Sequence, residues 1–129
     1  MIILGTHVLV WAVAESKKLS RPAELAIRKY RLQDGVAVSA VTLWELALLV
    51  ARGRIQGYGT VERSVEKLIE GVTVKTITPE IAALATQFPD DYPRDPADRL
   101  IGATARAEGL ALVTRDENIR KSPLLKTIW

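Results

Sequence analysis

Four short apolar runs, each set between helix-like segments, constrain this chain most. They are Ile2-Ile3-Leu4, Val36-Ala37-Val38, Val72 to Ile77 and Leu110 to Val113. β-Branched and aliphatic runs of this length read as strands. Strands that alternate with helical stretches favour a parallel sheet, because a parallel pair needs a crossover between its members. The expected fold is therefore α/β, with a mainly parallel central sheet. Lys126 to Trp129 reads as a last, short strand.

The segments between the strands carry helix signals. His7 to Ala14 reads as a short helix. Ser20 and Pro22 start the next one, since serine caps and proline suits the first turn; it runs to about Leu32. Ser39 caps a long helix from Ala40 to Ala51, closed by Gly53. Thr60 caps a helix whose Val61, Val65, Leu68 and Ile69 share one face, and Gly71 ends it. Thr78-Pro79 opens another, with Ile81, Leu84, Ala85 and Phe88 at helical spacing. Phe88 to Arg94 is a polar loop with two prolines. Asp95-Pro96 then starts a helix that ends at Gly109. No repeat or linker interrupts the pattern, so residues 1–129 are expected to form one domain.

Composition bounds the class. A hydrophobic share of 48% is enough for a real core, and 26% charged residues solvate a surface. The chain has no cysteine, which excludes disulfides and thiolate metal sites. A cytoplasmic location is compatible with this. Net charge is only +3, too mild to argue for nucleic acid by itself. The apolar start ends in Ala12-Val13-Ala14, which resembles a signal-peptidase site. No Lys or Arg precedes it, and Gly5, Thr6 and His7 interrupt it, so export is not expected. No stretch approaches the ~20 apolar residues of a membrane span.

In this mildly basic chain, three acids hold special positions. Glu45 lies in Ala40-Val41-Thr42-Leu43-Trp44-Glu45-Leu46-Ala47-Leu48-Leu49-Val50, apolar nearly all round, so the helix is expected to be largely buried. A carboxylate there costs several kcal/mol, in order of magnitude, unless a cation pairs with it. The bland alternatives are a buried ion pair with an arginine or a place at the core's edge. Asp95 and Asp98 stand at a helix start, where acids act as caps. Asp95 suits the cap, which leaves Asp98 free. Asp116 follows a strand, and its bland reading is a cap for a short helix over Glu117 to Arg120.

Position is what joins them. In open parallel sheets, sites form beyond the C-terminal ends of strands. Gly5, Asp116 and the Glu45 helix all follow strands directly, whereas Asp98 would have to approach from the side. Three acids at one edge suggest a hard-cation site of Mg²⁺ type. Such an ion would lower the pKa of a bound water and orient a phosphodiester for in-line attack. A single histidine, His7, argues against histidine-ligated zinc. Arg94, Arg99 and Arg115 lie near the acids and could hold an RNA phosphate, with a solvated surface as the plainer role. Arg52 and Arg54 are read as complementing a helix dipole. Trp11 and Trp44 are read as core or interface packing.

At this point the chain resembles the PIN-domain ribonucleases, specifically the VapC toxins of bacterial toxin–antitoxin pairs, over nearly its whole length. Leu4-Gly5-Thr6-His7-Val8-Leu9-Val10-Trp11 follows the family's L-D-T-H-x-L-x-W. Ser39 through Trp44-Glu45-Leu46 follows S-x-x-[ST]-x-W-E-[LI]. Asp95-Pro96-Ala97-Asp98-Arg99-Leu100-Ile101 follows D-P-x-D-R-[LI]-[IL]. Leu112-Val113-Thr114-Arg115-Asp116 follows L-V-T-x-D.

The resemblance implies a three-layer α/β/α sandwich and an endoribonuclease that uses Mg²⁺ or Mn²⁺. It implies an acidic cluster at position 5, Glu45, Asp98 and Asp116. Thr6 and Thr114 would support that cluster, and Asp95 would be an extra acid. It also implies a homodimer and a VapB-like antitoxin that covers the site and carries the DNA-binding part. The departure is Gly5, which stands where the family has its first metal-binding aspartate. Three accounts compete: an inactivating change that spares an expression host, a degenerate nuclease, and a weak site of three acids. The otherwise intact motifs favour the first. A non-catalytic antitoxin- or RNA-binding module is the main alternative function. A receiver-type phosphoacceptor lacks its paired acid block after the first strand.

Overall fold

A computed structural model describes residues 1–129. Its five strands are β1 (Ile2–Leu4), β2 (Val36–Ser39), β3 (Thr73–Lys75), β4 (Ala111–Val113) and β5 (Thr127–Ile128). They lie in the order β3-β2-β1-β4-β5, and every pair is parallel. The sheet is thus wholly parallel. Strand β1 is central, with Ile2 level with Val36 on one side and Ala111 on the other. Both of its faces are covered, which is why Ile2, Ile3 and Leu4 are all buried.

The seven helices are α1 (Thr6–Ala14), α2 (Arg21–Arg31), α3 (Ala40–Ala51), α4 (Val61–Leu68), α5 (Pro79–Thr86), α6 (Pro96–Glu108) and α7 (Glu117–Arg120). Alternate side chains of a strand point to opposite faces, and two cores follow. Ile2, Leu4, Val36, Val38 and Val113 pack with Val8 and Leu9 of α1, Ala23 and Ile27 of α2, Leu46 and Leu68. Ile3 and Leu112 pack on the other face with Ile81, Ala85, Ile101, Ala105 and Ile119. Helices on both faces of one sheet give the expected three layers.

The expected caps form. Ser20, Ser39, Thr60 and Thr78 each accept a hydrogen bond from the first turn of their helix. Three elements differ from expectation. The third strand is only Thr73–Lys75, because its single neighbour β2 ends at Ser39 and nothing pairs beyond the Lys75 register. Helix α5 stops at Thr86, so Phe88 lies past its end, yet is buried. Pro89 disfavours helical geometry at Phe88. A single 3-10 turn, Ser16–Lys18, was not anticipated.

Helix α3 also departs from the expectation of a largely buried element. Only Thr42 and Leu46 are fully buried, and Trp44 is 64% exposed. The helix packs on α4, α6 and α1 at the flank of the sheet, which leaves one apolar side uncovered.

Candidate active site

The C-terminal edge of the sheet gathers the acids. Gly5 follows β1 and stands at the N-cap of α1; its N–H donates to the Val113 carbonyl at 3.1 Å. Its backbone angles, φ −65° and ψ 157°, suit any residue. An added Cβ would meet only the Val113 carbonyl, at an ordinary 3.5 Å. Nothing in the backbone demands glycine here. Helix α1 accordingly lacks a side-chain cap, which an aspartate would supply.

Next to Gly5, the Thr6 hydroxyl donates to Glu45 Oε1. It also lies 3.0 Å from the Thr42 hydroxyl. Helix α3 begins directly at the end of β2, so Thr42 and Glu45 share the face turned towards β1. Glu45 makes no ion pair. The arginine partner of the bland reading is absent, and a two-threonine chain holds the carboxylate instead.

Asp98 does not approach from the side. Helix α6 leads through Gly109 straight into β4, so it runs antiparallel to the strands. Its N-terminus therefore sits at the C-terminal edge of the sheet. Asp95 is the cap, its Oδ1 accepting from the Asp98 N–H at 3.1 Å. The Asp98 side chain is left to the cleft. Burial, then the charges of Asp95, Glu45 and Asp116, pushes its carboxyl up to about 6.

The end of β4 supplies the rest. Thr114 is buried, and its hydroxyl accepts from the Asp116 N–H at 3.1 Å. Asp116 Oδ1 accepts from the N–H groups of Asn118 and Ile119, so the capping role is real. Oδ2 has no such duty. Arg115 lies over the Trp11 ring, 4.7 Å from its centroid, a cation–π contact that fixes a long side chain at the rim.

These groups line one cleft of about 420 Å³ that holds Gly5, Thr6, Glu45, Asp95, Asp98, Thr114, Arg115 and Asp116. Eight of the ten positions picked out from the sequence thus come together. Arg94 and Arg99 do not line it. Arg99 corrects its assignment as an RNA contact: its guanidinium donates to the carbonyls of Phe88, Pro89, Tyr92 and Pro93. It pins the loop before α6, leaving little of its fork for a phosphate. Thr42 was not singled out, although the [ST] of the motif S-x-x-[ST]-x-W-E-[LI] falls on it; its place at the site shows in its bond to Thr6, which in turn bonds Glu45. His7 and Trp11 also line the cleft.

The donor set suits a hard cation: carboxylate oxygens facing a cleft, unpaired with any lysine or arginine in salt-bridge range. No three His, Cys, Asp or Glu side chains converge closely enough to cage an ion.

Residues 2–123 match the family model of the PIN domain. The chain is 41% identical over 130 residues to ribonuclease VapC22 of Mycobacterium tuberculosis, covering 99% of this chain and 98% of that one. Among solved structures it is similar to VapBC2 from Rickettsia felis bound to a promoter DNA fragment, with a TM-score of 0.74 and 17% identity over 98% and 97% of the two chains. It is also similar to FitAcB from Neisseria gonorrhoeae, with a TM-score of 0.69 and 24% identity over 98% and 96%. A third is Mycobacterium tuberculosis VapC20, a toxin that cleaves the sarcin-ricin loop, with a TM-score of 0.64 and 19% identity over 92% of each chain. The chain belongs to the PIN-domain family and, within it, to the VapC-type ribonucleases.

Proposed function

We propose that this chain is a metal-dependent endoribonuclease toxin of a toxin–antitoxin pair, impaired as it stands because Gly5 leaves out one acidic ligand. The observation that carries this reading is the meeting of Glu45, Asp98 and Asp116 in one cleft beside Gly5. Burial first, and then the charges of Asp95, Glu45 and Asp116, raise the Asp98 carboxyl in this cleft.

Asp98 and Asp116 would hold Mg²⁺ or Mn²⁺, with Glu45 near enough in role to assist. When bound, the ion supplies Lewis acidity at a phosphate oxygen and offsets the acids' repulsion of the substrate. Glu45, fixed through one oxygen by Thr6, has its other oxygen available to orient water and accept its proton. The water oxygen bonds to phosphorus as a P–O bond of the RNA breaks, and the leaving oxygen gains a proton. Thr114 steadies the loop that carries Asp116. Arg115, held by Trp11, and Arg94 at the surface are the candidates for neighbouring phosphates.

The partners that go with this reading are a VapB-like antitoxin over the cleft, DNA reached only through that antitoxin, a second copy of the chain, and the cytoplasm as location. The exposed Trp44 and the open apolar side of α3 support an interface there. The deciding experiment is RNA cleavage with Mg²⁺ or Mn²⁺ by this chain, by Gly5→Asp, and by Gly5→Asp with Asp98→Asn. Cleavage gained with the first change and lost with the second is the expected result. A folded set that cuts nothing in a broad RNA pool would favour a non-catalytic binding module.

A further inference from the structure

A second cavity, of about 220 Å³, adjoins the acidic cleft on the far side of Glu45. It shares Thr6, His7 and Glu45 with the cleft and adds Leu48, Leu49, Arg52 and Arg54. Glu45, Leu48, Leu49 and Arg52 stand at i, i+3, i+4 and i+7 on α3, so they form one stripe along the helix. At 1.5 Å per residue, Arg52 lies roughly 10 Å along the axis from Glu45.

Arg54 is brought back to the same stripe by the way α3 ends. Gly53 adopts φ +66°, its N–H bonds the Val50 carbonyl, and the Arg54 N–H bonds the Leu49 carbonyl at 2.8 Å. This is the Schellman closure that glycine after a helix permits. Arg52 and Arg54 are exposed, and neither is in an ion pair. A helix dipole accounts for two cations at a C-terminus. It does not account for both lining one cavity with Leu48, Leu49 and the Glu45 that also lines the acidic cleft.

We propose that Arg52 and Arg54 form a phosphate-binding subsite that takes the RNA strand on one side of the cleavage cleft. This rests on the ribonuclease reading above. The acids repel a polyanion, so its neighbouring phosphates need cations at the cleft's borders. Helix α3 follows β2 and Arg115 follows β4, so the arginine pair and Arg115 lie on opposite sides of β1. Leu48 and Leu49 offer the strand an apolar surface between the acids and the pair. RNA is favoured over an acidic polypeptide because the cavity is continuous with the residues that would cut it.

The test is anisotropy of a labelled mixed-sequence single-stranded RNA with this chain over a salt series. Arg52→Ala/Arg54→Ala is compared with Lys17→Ala/Arg31→Ala, which removes the same charge from exposed positions away from the cleft. Loss of two phosphate contacts should lower the slope of log K against log salt by about 1.4, with weaker binding; the control pair should lower it far less. On the Gly5→Asp background, the arginine pair should raise KM several-fold and leave kcat near its parent value. Equal slopes for the two pairs would overturn the subsite. Unchanged RNA slopes with weakened polyglutamate binding would also overturn it and give the cavity to an acidic polypeptide. A lowered slope together with no cleavage by Gly5→Asp would keep the subsite and reject the nuclease reading.

Discussion

The Thr6 hydroxyl hydrogen-bonds Glu45, joining the residue after Gly5 to the only acid on α3. Thr42, on the same helix as Glu45, hydrogen-bonds Thr6 and so braces the hydroxyl that holds the glutamate. Thr6→Val keeps shape and removes this bond. A hydrogen bond to a charged group contributes about 1.5–3 kcal/mol, and partial exposure of Glu45 places the loss near the lower end. Urea unfolding should show about 1–2 kcal/mol lost. On the Gly5→Asp background, Thr6→Val should lower kcat more than it raises KM, and Thr6→Ser should recover most of it. Equal loss from valine and serine would rule out the hydroxyl as the orienting group.

Restoring the acid at position 5 should be tolerated. The backbone there is extended and the space for Cβ is open. An aspartate would cap α1, worth about 0.5–2 kcal/mol, but it would add charge to a cleft already acidic. These effects oppose each other, so without metal the stability of Gly5→Asp should stay within about 1 kcal/mol of the parent. With millimolar Mn²⁺ the charges attract an ion instead, and Tm should rise more for Gly5→Asp than for the parent. Thermal unfolding with Mn²⁺ and with chelator checks this. An equal rise in both chains would mean that position 5 takes no part in binding the ion.

Asp98 gives a pH dependence of definite sign. Its carboxyl is raised from 3.8 to about 6, chiefly by burial and then by Asp95, Glu45 and Asp116. The folded state therefore binds more protons than the unfolded state between these values. In the metal-free protein, stability from this group is present in full below about pH 4 and is lost as pH rises through 6. Asp98→Asn removes the titration and keeps the backbone N–H that Asp95 caps. After allowance for solvent screening, it should stabilise the metal-free chain by about 1 kcal/mol at pH 7 and by almost nothing at pH 4. Urea unfolding in chelator at both pH values measures the difference. A gain as large at pH 4 as at pH 7 would mean that charge is not its source.

Much of this was legible in the sequence because local rules and tertiary needs agreed. Ser39, Thr60 and Thr78 are capping residues in front of helical segments with an apolar face, and they cap. The strands carrying Ile3 and Leu112 need cover on both sides and receive it. Asp98 was readable as a free acid only because Asp95 stood ready to cap. Other features depend on contacts between distant segments. Arg99 stands beside the acids in sequence, yet its donors are used by carbonyls from residues 88–93, a distribution no spacing reveals. The exposure of Trp44 likewise depends on where α3 docks, since hydrophobicity alone pointed to burial.

Arg99 should behave as a structural residue. Arg99→Lys retains charge but has no planar fork to reach four carbonyls. Losing two or three of these bonds should cost about 2–4 kcal/mol, while the RNA salt slope stays near the parent's. Arg115→Ala should do the reverse, lowering the slope by about 0.7 with little effect on folding. Denaturant titrations and salt-dependent binding on both variants separate the roles. A lowered slope in Arg99→Lys, with stability retained, would return Arg99 to the RNA surface.

The tightest constraint near the site is Gly102 on α6. A Cβ there would lie 2.2 Å from the Tyr92 hydroxyl and 2.9 Å from Phe88 Cε2. Both rings are buried and meet edge to face, with centroids 4.6 Å apart, so neither can swing aside freely. Tyr92 also donates to the Asp98 carbonyl at 3.3 Å. Its phenol is held in the protonated form by burial, then by the charges of Asp98 and Asp116. Gly102→Ala should therefore move the 88–93 loop away from α6 and disturb the turn that carries Asp98. Alanine ordinarily favours a helix over glycine by about 1 kcal/mol; here overpacking of about 1–3 kcal/mol or more should reverse the sign. Urea unfolding should show net destabilisation, and on the Gly5→Asp background cleavage should fall although no acid has changed. A variant as stable as the parent would show that the aromatic pair can yield, and that the loop does not fix Asp98.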